Sequence, residues 1–414
     1  MNKNWLADAR GTLSRFVMYA GPALIVSIGY MDPGNYGTDI QGGAAHGYTL
    51  LWVVWLASSM AMLLQYLSGK LGIATSLSLP ELIRQKFQKK IYIIPYWLSA
   101  EIVAATTDLA EYLGTVIALN LLFGVPLIYA AIFGALDVII ILGLTTKRFR
   151  MLEQLFLLFV SVISFGYLYE IFIAKPNPVQ IIYHSFVPAI ASSSALLVTV
   201  GVIGATVMPH VIFLHSALTR DKVQGSTLEQ RGKFRKYHLI ETVIVLSIAG
   251  IINAIIMTMA AVAFNPENSS IQSISEAYKT LIPLFGLAAA NIFLITLLSS
   301  GIASSVAGTL AGQVIMEGLL GKKVNVWIRR FITRFVNVIP TTIAILIGID
   351  PLHILVYSQV LLSILIPLPI IPLIILTRSK ALMGEFVNRK ITTIIASAFT
   401  GIVAIFNAYL LLTI

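Results

Sequence analysis

The chain has 414 residues, of which 57% are hydrophobic and 11% charged, and its mean hydropathy is +0.89. Soluble domains carry about a quarter charged residues, so the composition excludes an ordinary soluble protein and predicts an all-α polytopic membrane protein. The sequence has no cysteine. Disulfides and thiolate chemistry are thereby excluded, and methionine is the only soft sulfur ligand available to a metal ion.

Apolar runs long enough to cross a bilayer recur from one end of the chain to the other. They predict eleven transmembrane helices, near residues 16–44, 46–69, 92–122, 125–146, 151–173, 190–218, 237–264, 282–316, 327–349, 353–377 and 390–413. The first apolar run continues into the first predicted span without a convincing cleavage site, so we interpret it as a retained span. Every predicted connection is short, and we therefore expect one membrane domain over residues 1–414.

The formal net charge of +10 would suit nucleic-acid binding, but the distribution of charge indicates membrane topology instead. Lysine and arginine cluster in alternate connections, within residues 3–15, 70–90, 147–150, 220–236, 322–330 and 378–390. This alternation is typical of the positive-inside rule. It predicts a cytoplasmic N-terminus and an extracellular C-terminus in a plasma membrane, with lipid but neither nucleic acid nor an obligate protein as partner.

Two predicted spans contain helix breakers at their centres. The first span carries Asp32-Pro33-Gly34 and the sixth carries Met208-Pro209. A proline inside a helix removes a backbone hydrogen bond and costs about 3 kcal/mol, and in lipid the freed carbonyl must face protein, a cavity or a ligand. The two spans enter the membrane from opposite sides. Broken helices at corresponding positions with opposite orientation are typical of inverted-repeat transporters, although a single break would equally suit a simple kink.

The polarity of the two breaks predicts a cation site. The first half of each broken span ends near the membrane centre, so both direct their carbonyl-rich, negative ends there. Asp32 adds a carboxylate, Asn35 a neutral amide, and the freed carbonyls of Gly29 and Ala205 add further oxygens. Met208 adds a thioether, which biases such a site toward softer transition metals than Mg²⁺ or Ca²⁺. A methionine alone more often fills a core; its position before Pro209 favours a ligand.

A second polar set lies on the third predicted span. Asp108 and Glu111 are three residues apart and share a helix face with Glu101. Candidate partners lie at the cytoplasmic end of the ninth predicted span: Arg329, Arg330 and Arg334. The set predicts either a structural ion-pair lock or, with His210, a proton path from the metal site to the cytoplasm. His215 could support this network or simply pack. The other histidines are expected near loops and have no supporting pattern: His46, His184, His238 and His353.

Five motifs carry a family resemblance: "DPGN" at 32–35, "TDLAE" at 107–111, "ATVMPH" at 205–210, "AGTLAGQVIMEG" at 307–318 and "RRFITR" at 329–334. Together and in this order they resemble the Nramp family of proton-coupled divalent metal transporters. The resemblance implies a LeuT-like fold, with inverted five-helix repeats over about 16–173 and 190–377 and an eleventh helix at 390–413. It also implies import of Mn²⁺ and Fe²⁺, with tolerance for Cd²⁺, and no resident cofactor.

The resemblance also implies a ligand set, which matches Asp32, Asn35, the Ala205 carbonyl and Met208. The Gly29 carbonyl and the Gln359 side chain are implied as conformation-dependent contributors. The family pattern has asparagine after the histidine, whereas this chain has Val211. This departure puts in question how the site opens and closes. Met208 argues against the related Mg²⁺ transporters, which lack this methionine.

Three other functional classes compete with a metal importer. An amino-acid or other organic-solute carrier of the same fold would use half-helix N-termini facing a substrate carboxylate, and the acidic Asp32 disfavours it. An ion channel would need repeated rings of donors, and an enzyme would need a nucleophile with a base or a cofactor fingerprint. The sequence shows neither pattern.

Overall fold

The computed structural model describes residues 21–135, 149–265 and 274–413, and the regular structure in these ranges is helical. The α-helices are α1 Pro22–Ser27, α2 Pro33–His46, α3 Leu51–Thr75, α4 Leu79–Lys86, α5 Lys90–Phe123, α6 Leu127–Ala135, α7 Phe149–Ala174, α8 Pro178–Phe186, α9 Ser193–Val207, α10 Pro209–Lys222, α11 Leu228–Phe264, α12 Ile274–Leu320, α13 Val326–Leu346, α14 Pro351–Leu365, α15 Pro367–Thr377, α16 Lys380–Met383 and α17 Lys390–Thr413. Short 3₁₀ helices cover Ile28–Met31 and Gly384–Phe386.

Eight helices in the described ranges are long and apolar enough to cross a membrane, and Pro22–Met31 is a shorter apolar helix. These elements confirm the multi-pass prediction. Residues 16–20 of the first predicted span and 136–146 of the fourth lie outside the described residues. The ninth predicted span is α13, which carries three arginines. The eighth span begins at Ile274, earlier than predicted, and is kinked at Gly286.

Both predicted helix breaks are present. The 3₁₀ turn ends at Met31, Asp32 is extended, and α2 begins at Pro33. In the sixth span α9 ends at Val207 and α10 begins at Pro209. In both cases proline is the first helical residue, where its missing N–H leaves no bond unmade.

Close helix packing surrounds the two breaks. Pro33 lies against Gly114 of α5, and Gly204 of α9 lies against the backbone of Gln359 in α14. A side chain at either glycine would collide with its neighbour, so glycine allows these backbones to approach. The apolar cluster at the centre includes Tyr30 and Met208.

Large apolar side chains on the outer helices are exposed, for example Phe172 of α7 at 80% and Ile394 of α17 at 65%. Such extensive apolar exposure would be unfavourable in water. It is the surface expected of helices that face lipid.

Candidate functional site

The Asp32 carboxylate caps the N-terminus of α2. Its Oδ1 accepts a hydrogen bond from the Asn35 backbone N–H at 2.9 Å and another from Asn35 Nδ2 at 2.7 Å. Its Oδ2 has no hydrogen-bond partner among the described residues, and the side chain is fully buried. Because a buried charge without compensation is unfavourable, this open oxygen is suited to binding a cation.

Asn35 joins the two breaks. Its Nδ2 also donates to the Ala205 carbonyl at 3.1 Å, and its Oδ1 accepts from the Thr206 hydroxyl at 3.1 Å. The structure therefore brings Asp32, Asn35 and the Ala205 carbonyl together, as the sequence predicts. The Asn35 amide nitrogen lies between Asp32 Oδ1 and the Ala205 carbonyl oxygen.

Met208 lies opposite Gly29 at the second break. It has a positive φ of 41°, a strained conformation for a non-glycine residue that costs about 1–3 kcal/mol. A Cβ atom built on Gly29 would lie 3.1 Å from Met208 Sδ and 3.1 Å from Val211 Cγ2. The thioether therefore packs against the first break, and Val211 occupies the neighbouring space with an apolar side chain.

Gln359 of α14 brings a third helix to the site. Its side-chain amide and Asp32 Oδ2 both lie beside Gly34. Its Nε2 donates to the Ser358 hydroxyl at 3.0 Å, whereas its Oε1 lacks a partner within the described ranges. Asp32 Oδ2 and the amide group of Gln359 thus meet beside Gly34, and each of these side chains has one buried oxygen without a partner among the described residues.

Sequence reasoning missed Asn253 of α11. Its Nδ2 donates to Asn35 Oδ1 and to the Tyr30 carbonyl, both at 3.1 Å. It therefore satisfies the unwound backbone and orients the Asn35 amide. The sequence did contain a signal for this residue, because Asn253 is a lone amide within the long apolar run of the seventh predicted span. Ser300 of α12, also missed, donates to the Met31 carbonyl.

The acidic set on α5 meets the arginines of α13. Asp108 forms an ion pair with Arg330, lies 3.7 Å from Arg334, and accepts a hydrogen bond from Asn337 Nδ2 at 2.8 Å. Arg329 pairs with Glu101 at 2.8 Å. The predicted contact between the third and ninth spans is therefore present.

Glu111 differs from its neighbour Asp108. It is buried, and neither carboxyl oxygen has a hydrogen-bond partner in the part of the chain that the structure describes. Its carboxyl group lies against Gly308 of α12, where a built Cβ would be 2.7 Å from Oε2. Two carboxylates on one face of α5 thus have different surroundings, one held by hydrogen bonds and one without them.

The two predicted histidines belong to different networks. His210 Nδ1 lies 3.1 Å from the Thr107 hydroxyl, next to Asp108 in sequence. His215 Nδ1 lies 2.9 Å from Gln65 Oε1, and Gln65 in turn donates to the Tyr30 hydroxyl at 2.7 Å. The structure thus joins His210 to the acidic set on α5 and His215 to α3.

His238 was expected near a loop, but it is buried in α11. Its ring packs edge-to-face against that of His215, with centroids 4.8 Å apart. The sequence-based expectation was wrong because α11 begins at Leu228, well before the predicted start of the span at 237. No group of three histidine, aspartate or glutamate residues converges as a metal site within the described ranges. Any cation at the breaks would therefore rely on carbonyl, amide and thioether ligands beside Asp32.

Known proteins resemble this chain over nearly its whole length. The family model for natural resistance-associated macrophage protein-like proteins, Nramp, matches residues 23–413. A divalent metal cation transporter, MntH, from Deinococcus radiodurans is 40% identical over 411 residues, covering 98% of this chain and 93% of the relative. A crystal structure of a manganese transporter from Eremococcus coleocola, in complex with an aromatic bis-isothiourea substituted compound, is 32% identical with a TM-score of 0.86, covering 96% of this chain and 86% of that chain.

A more distant structural likeness bears on the fold alone. MhsT, solved in complex with L-phenylalanine, is 13% identical with a TM-score of 0.60, covering 94% of this chain and 97% of that chain. Together with the breaks in the first and sixth spans, these likenesses confirm the predicted LeuT-like fold. The family match, the identity to the Deinococcus relative and the arrangement around Asp32 agree, and the chain belongs to the Nramp family.

Proposed function

We propose that the chain is a secondary transporter that imports divalent transition-metal ions, Mn²⁺ and Fe²⁺ foremost and Cd²⁺ as a further soft ion, together with protons. The observation that carries this proposal is the pair of partnerless oxygens on Asp32 and Gln359, two side chains that meet beside Gly34 where the two breaks come together. The names of the Deinococcus and Eremococcus relatives, a divalent metal cation transporter and a manganese transporter, support it.

The proposed ligands are the Asp32 carboxylate, the Asn35 amide oxygen, the Ala205 carbonyl and the Met208 thioether. The Gly29 carbonyl and Gln359 contribute in particular conformations. A cation would neutralise Asp32 and displace the Asn35 amide nitrogen, which now bridges Asp32 and Ala205. A mixed oxygen and sulfur site favours Mn²⁺, Fe²⁺ and Cd²⁺ over Mg²⁺ and Ca²⁺, because thioether is a poor ligand for hard cations.

For the proton, we propose a route through α5 and α13 toward the cytoplasm. His210 contacts Thr107, and Asp108 and Glu111 follow on the same helix. Glu111 has no hydrogen-bond partner among the described residues and is therefore available to carry a proton. Asp108 with Arg330, and Arg329 with Glu101, would hold the inner end of the route. His215 lies on a separate network and is outside this route.

We further propose a plasma-membrane location, with the N-terminus in the cytoplasm and the C-terminus outside, on the basis of the alternating basic connections. The inverted repeats would cover about 16–173 and 190–377 within a single membrane domain, with α17 as the additional helix. The transporter would require no resident cofactor, catalyse no chemical reaction and function without an obligate protein partner.

The test uses the purified full chain in liposomes. Mn²⁺ uptake should be saturable and should accelerate when an inward proton gradient is imposed, relative to vesicles at equal pH and to protein-free vesicles. Calorimetry on the same preparation should detect binding of Mn²⁺ and none of neutral amino acids. Uptake that is indifferent to the proton gradient would contradict the proton coupling, and amino-acid binding would favour the organic-solute carrier.

A further inference from the structure

The connection between α7 and α9 contains the nine-residue helix α8, which lies at the surface of the molecule. None of its residues is buried, and its sequence, PVQIIYHSF, contains no aspartate, glutamate, lysine or arginine. Four of its large side chains are 55–82% exposed: Val179, Ile182, Tyr183 and Phe186. Because a cluster of exposed apolar side chains is uncommon on a surface that faces water, this helix is expected to contact a partner or a membrane.

The four exposed side chains share one face of α8. They stand at positions i, i+3, i+4 and i+7, which form a stripe about 100° wide along a helix; this face is called the apolar stripe below. Ile181 and Ser185 lie on the other side of the helix. Ile181 packs against the apolar core, and the Ser185 hydroxyl accepts a hydrogen bond from Trp55 Nε1 of α3 at 2.9 Å. The helix is thus attached to the protein by one side and turns the apolar stripe away from it.

Two tryptophans fix the level of α8 relative to the membrane spans. Trp55 binds α8 itself, and Trp52 Nε1 donates to the carbonyl of Ala189, just after α8, at 3.3 Å. Both lie in the first two turns of α3, which begins at Leu51, and at about 1.5 Å per residue they are within about 6 Å of that helix end. Tryptophan is enriched at the level of the lipid headgroups. The two indoles therefore place α8 where the hydrocarbon of the bilayer meets water.

The lipid-facing surface of the molecule leads directly to α8. Phe165, Leu168 and Phe172 are exposed on one face of α7, as expected of a helix that faces lipid. α7 ends at Ala174 and α8 begins at Pro178, so these two helix ends are at most about 14 Å apart. A bilayer that covers α7 therefore reaches α8 as well, and its acyl chains suit a face that carries no charge.

We propose that α8 is an interfacial helix, which lies along the membrane surface with the apolar stripe among the lipid headgroups and the first acyl carbons. In the proposed topology this is the extracellular leaflet. Helices of this kind bury their apolar face about 5–10 Å into that boundary. Because α8 leads into α9, the first half of the broken sixth span, its contact with lipid holds the beginning of that span at a fixed depth. The placement does not depend on which ion is transported.

The test is a spin-label scan of the full chain in phosphatidylcholine vesicles. The chain has no cysteine, so a single introduced cysteine carries the only nitroxide label. Val179→Cys, Ile182→Cys and Phe186→Cys place the label on the apolar stripe. Power saturation compares collisions of the label with oxygen, which dissolves in the bilayer, and with an uncharged, water-soluble nickel chelate. We expect the ratio of oxygen to nickel collisions at these positions to be severalfold higher than at a control position outside the stripe.

The matched control is Gln180→Cys, which is exposed on the same helix but lies outside the apolar stripe. Its label should collide mainly with the nickel chelate. Phe172→Cys on α7 supplies the lipid-facing reference, and Lys322→Cys, exposed just beyond the end of α12, supplies the water-facing reference. The stripe positions should resemble Phe172→Cys.

Two results would overturn the proposal. Frequent collisions with the nickel chelate along the stripe would show that it faces water. Few collisions with either reagent would show that protein covers it, and distances between labels on two copies would then identify a dimer. If one stripe substitution does not fold, the other two positions decide the matter, because each replaces a different exposed side chain.

Discussion

Two buried aspartates in this molecule have opposite surroundings. Asp108 on α5 has both oxygens engaged, by Arg330 and Arg334 on one side and by Asn337 on the other. Asp32 at the first helix break has one oxygen engaged by Asn35 and the other without a partner among the described residues. Both side chains lie in an apolar interior where charge is unfavourable. The protein thus neutralises Asp108 with its own arginines and leaves one oxygen of Asp32 open, as the proposed cation site requires.

The largest expected effect comes from Asp32→Asn. The substitution keeps the size of the side chain and removes the charge that a metal ion would neutralise. We expect Mn²⁺ uptake and binding to fall by more than about 100-fold. Replacing a residue that only contacts a metal ligand can already lower metal affinity by about 100-fold, and Asp32 is a proposed ligand itself. Radiometric uptake and calorimetry measure the fall. The variant should be at least as stable to heat as the wild type, since a buried charge without a counter-ion is removed and asparagine can also cap α2. Normal Mn²⁺ transport would show that the cation site lies elsewhere.

Asp108→Asn should have the opposite effects: it should lower stability and leave Mn²⁺ binding in place. It removes the carboxylate that Arg330 contacts within the bilayer, and breaking a buried ion pair in this way costs about 3–5 kcal/mol. We expect a clear fall in the thermal unfolding temperature in detergent, while calorimetry on the folded fraction still detects Mn²⁺ binding. If Asp108→Asn abolished Mn²⁺ binding without lowering stability, the contrast between the two aspartates would be wrong.

Met208→Leu tests whether the sulfur atom of Met208 determines which metal ions the proposed site prefers. Leucine has a similar volume, so the change mainly removes the sulfur atom. The preference for Cd²⁺ over Ca²⁺ in competition assays should fall about tenfold, equivalent to about 1.4 kcal/mol. Met257→Leu is the matched control, because Met257 is equally buried on α11 and contacts Gly42 rather than the breaks. If the two variants had the same preference for Cd²⁺ over Ca²⁺, Met208 would be a packing residue and not a ligand.

The smallest effect is expected at an ion pair between the first turn of α4 and the end of α10. Glu81 of α4 pairs with Arg220 of α10 at 2.8 Å, and each side chain is 24% exposed. Burial alone would raise the pKa of Glu81, but hydrogen bonds from Ser78 and Arg220 outweigh burial and hold the pKa below its ordinary value. The pair is therefore stabilising above the ordinary glutamate range and is lost as the pH falls through the lowered pKa.

Glu81→Gln should accordingly reduce stability by about 0.5–1 kcal/mol near neutral pH, the usual size for a partly exposed pair. The difference from the wild type should shrink as the pH falls, because acid also removes the pair from the wild-type protein. Thermal unfolding followed over a pH series checks both points. A difference that grows on acidification would contradict the sign derived from the lowered pKa.

Much of the site could be predicted from local sequence. Asp32, Pro33 and Gly34 break a helix wherever an apolar span contains them, and Met208-Pro209 does the same. The two breaks were expected to face each other because the first and sixth spans enter the membrane from opposite sides and are broken at corresponding positions. The contact of Asp108 with the arginines of α13 was also predictable, since buried carboxylates require cations and few are available within the spans.

Other features depend on contacts that no local pattern encodes. Asn253 lies more than 200 residues from Asn35 and reaches it only because α11 packs against α2. Glu111 shares a helix face with Asp108 but lies against Gly308, so proximity in sequence to a paired carboxylate gave no indication of its own surroundings. His238 and His215 lie 23 residues apart on separate helices, and their rings meet with centroids 4.8 Å apart.

The sequence by itself determined the membrane class, the order of the spans and the two points where helices must break, because these follow from side-chain polarity and the covalent geometry of proline. Only the tertiary structure decided which buried oxygens have partners. Asp108 and Asp32 are both carboxylates within apolar spans, and nothing in their own segments separates a neutralised one from an open one. Helices distant in sequence make that distinction, since a hydrogen bond or ion pair requires an approach within about 3 Å.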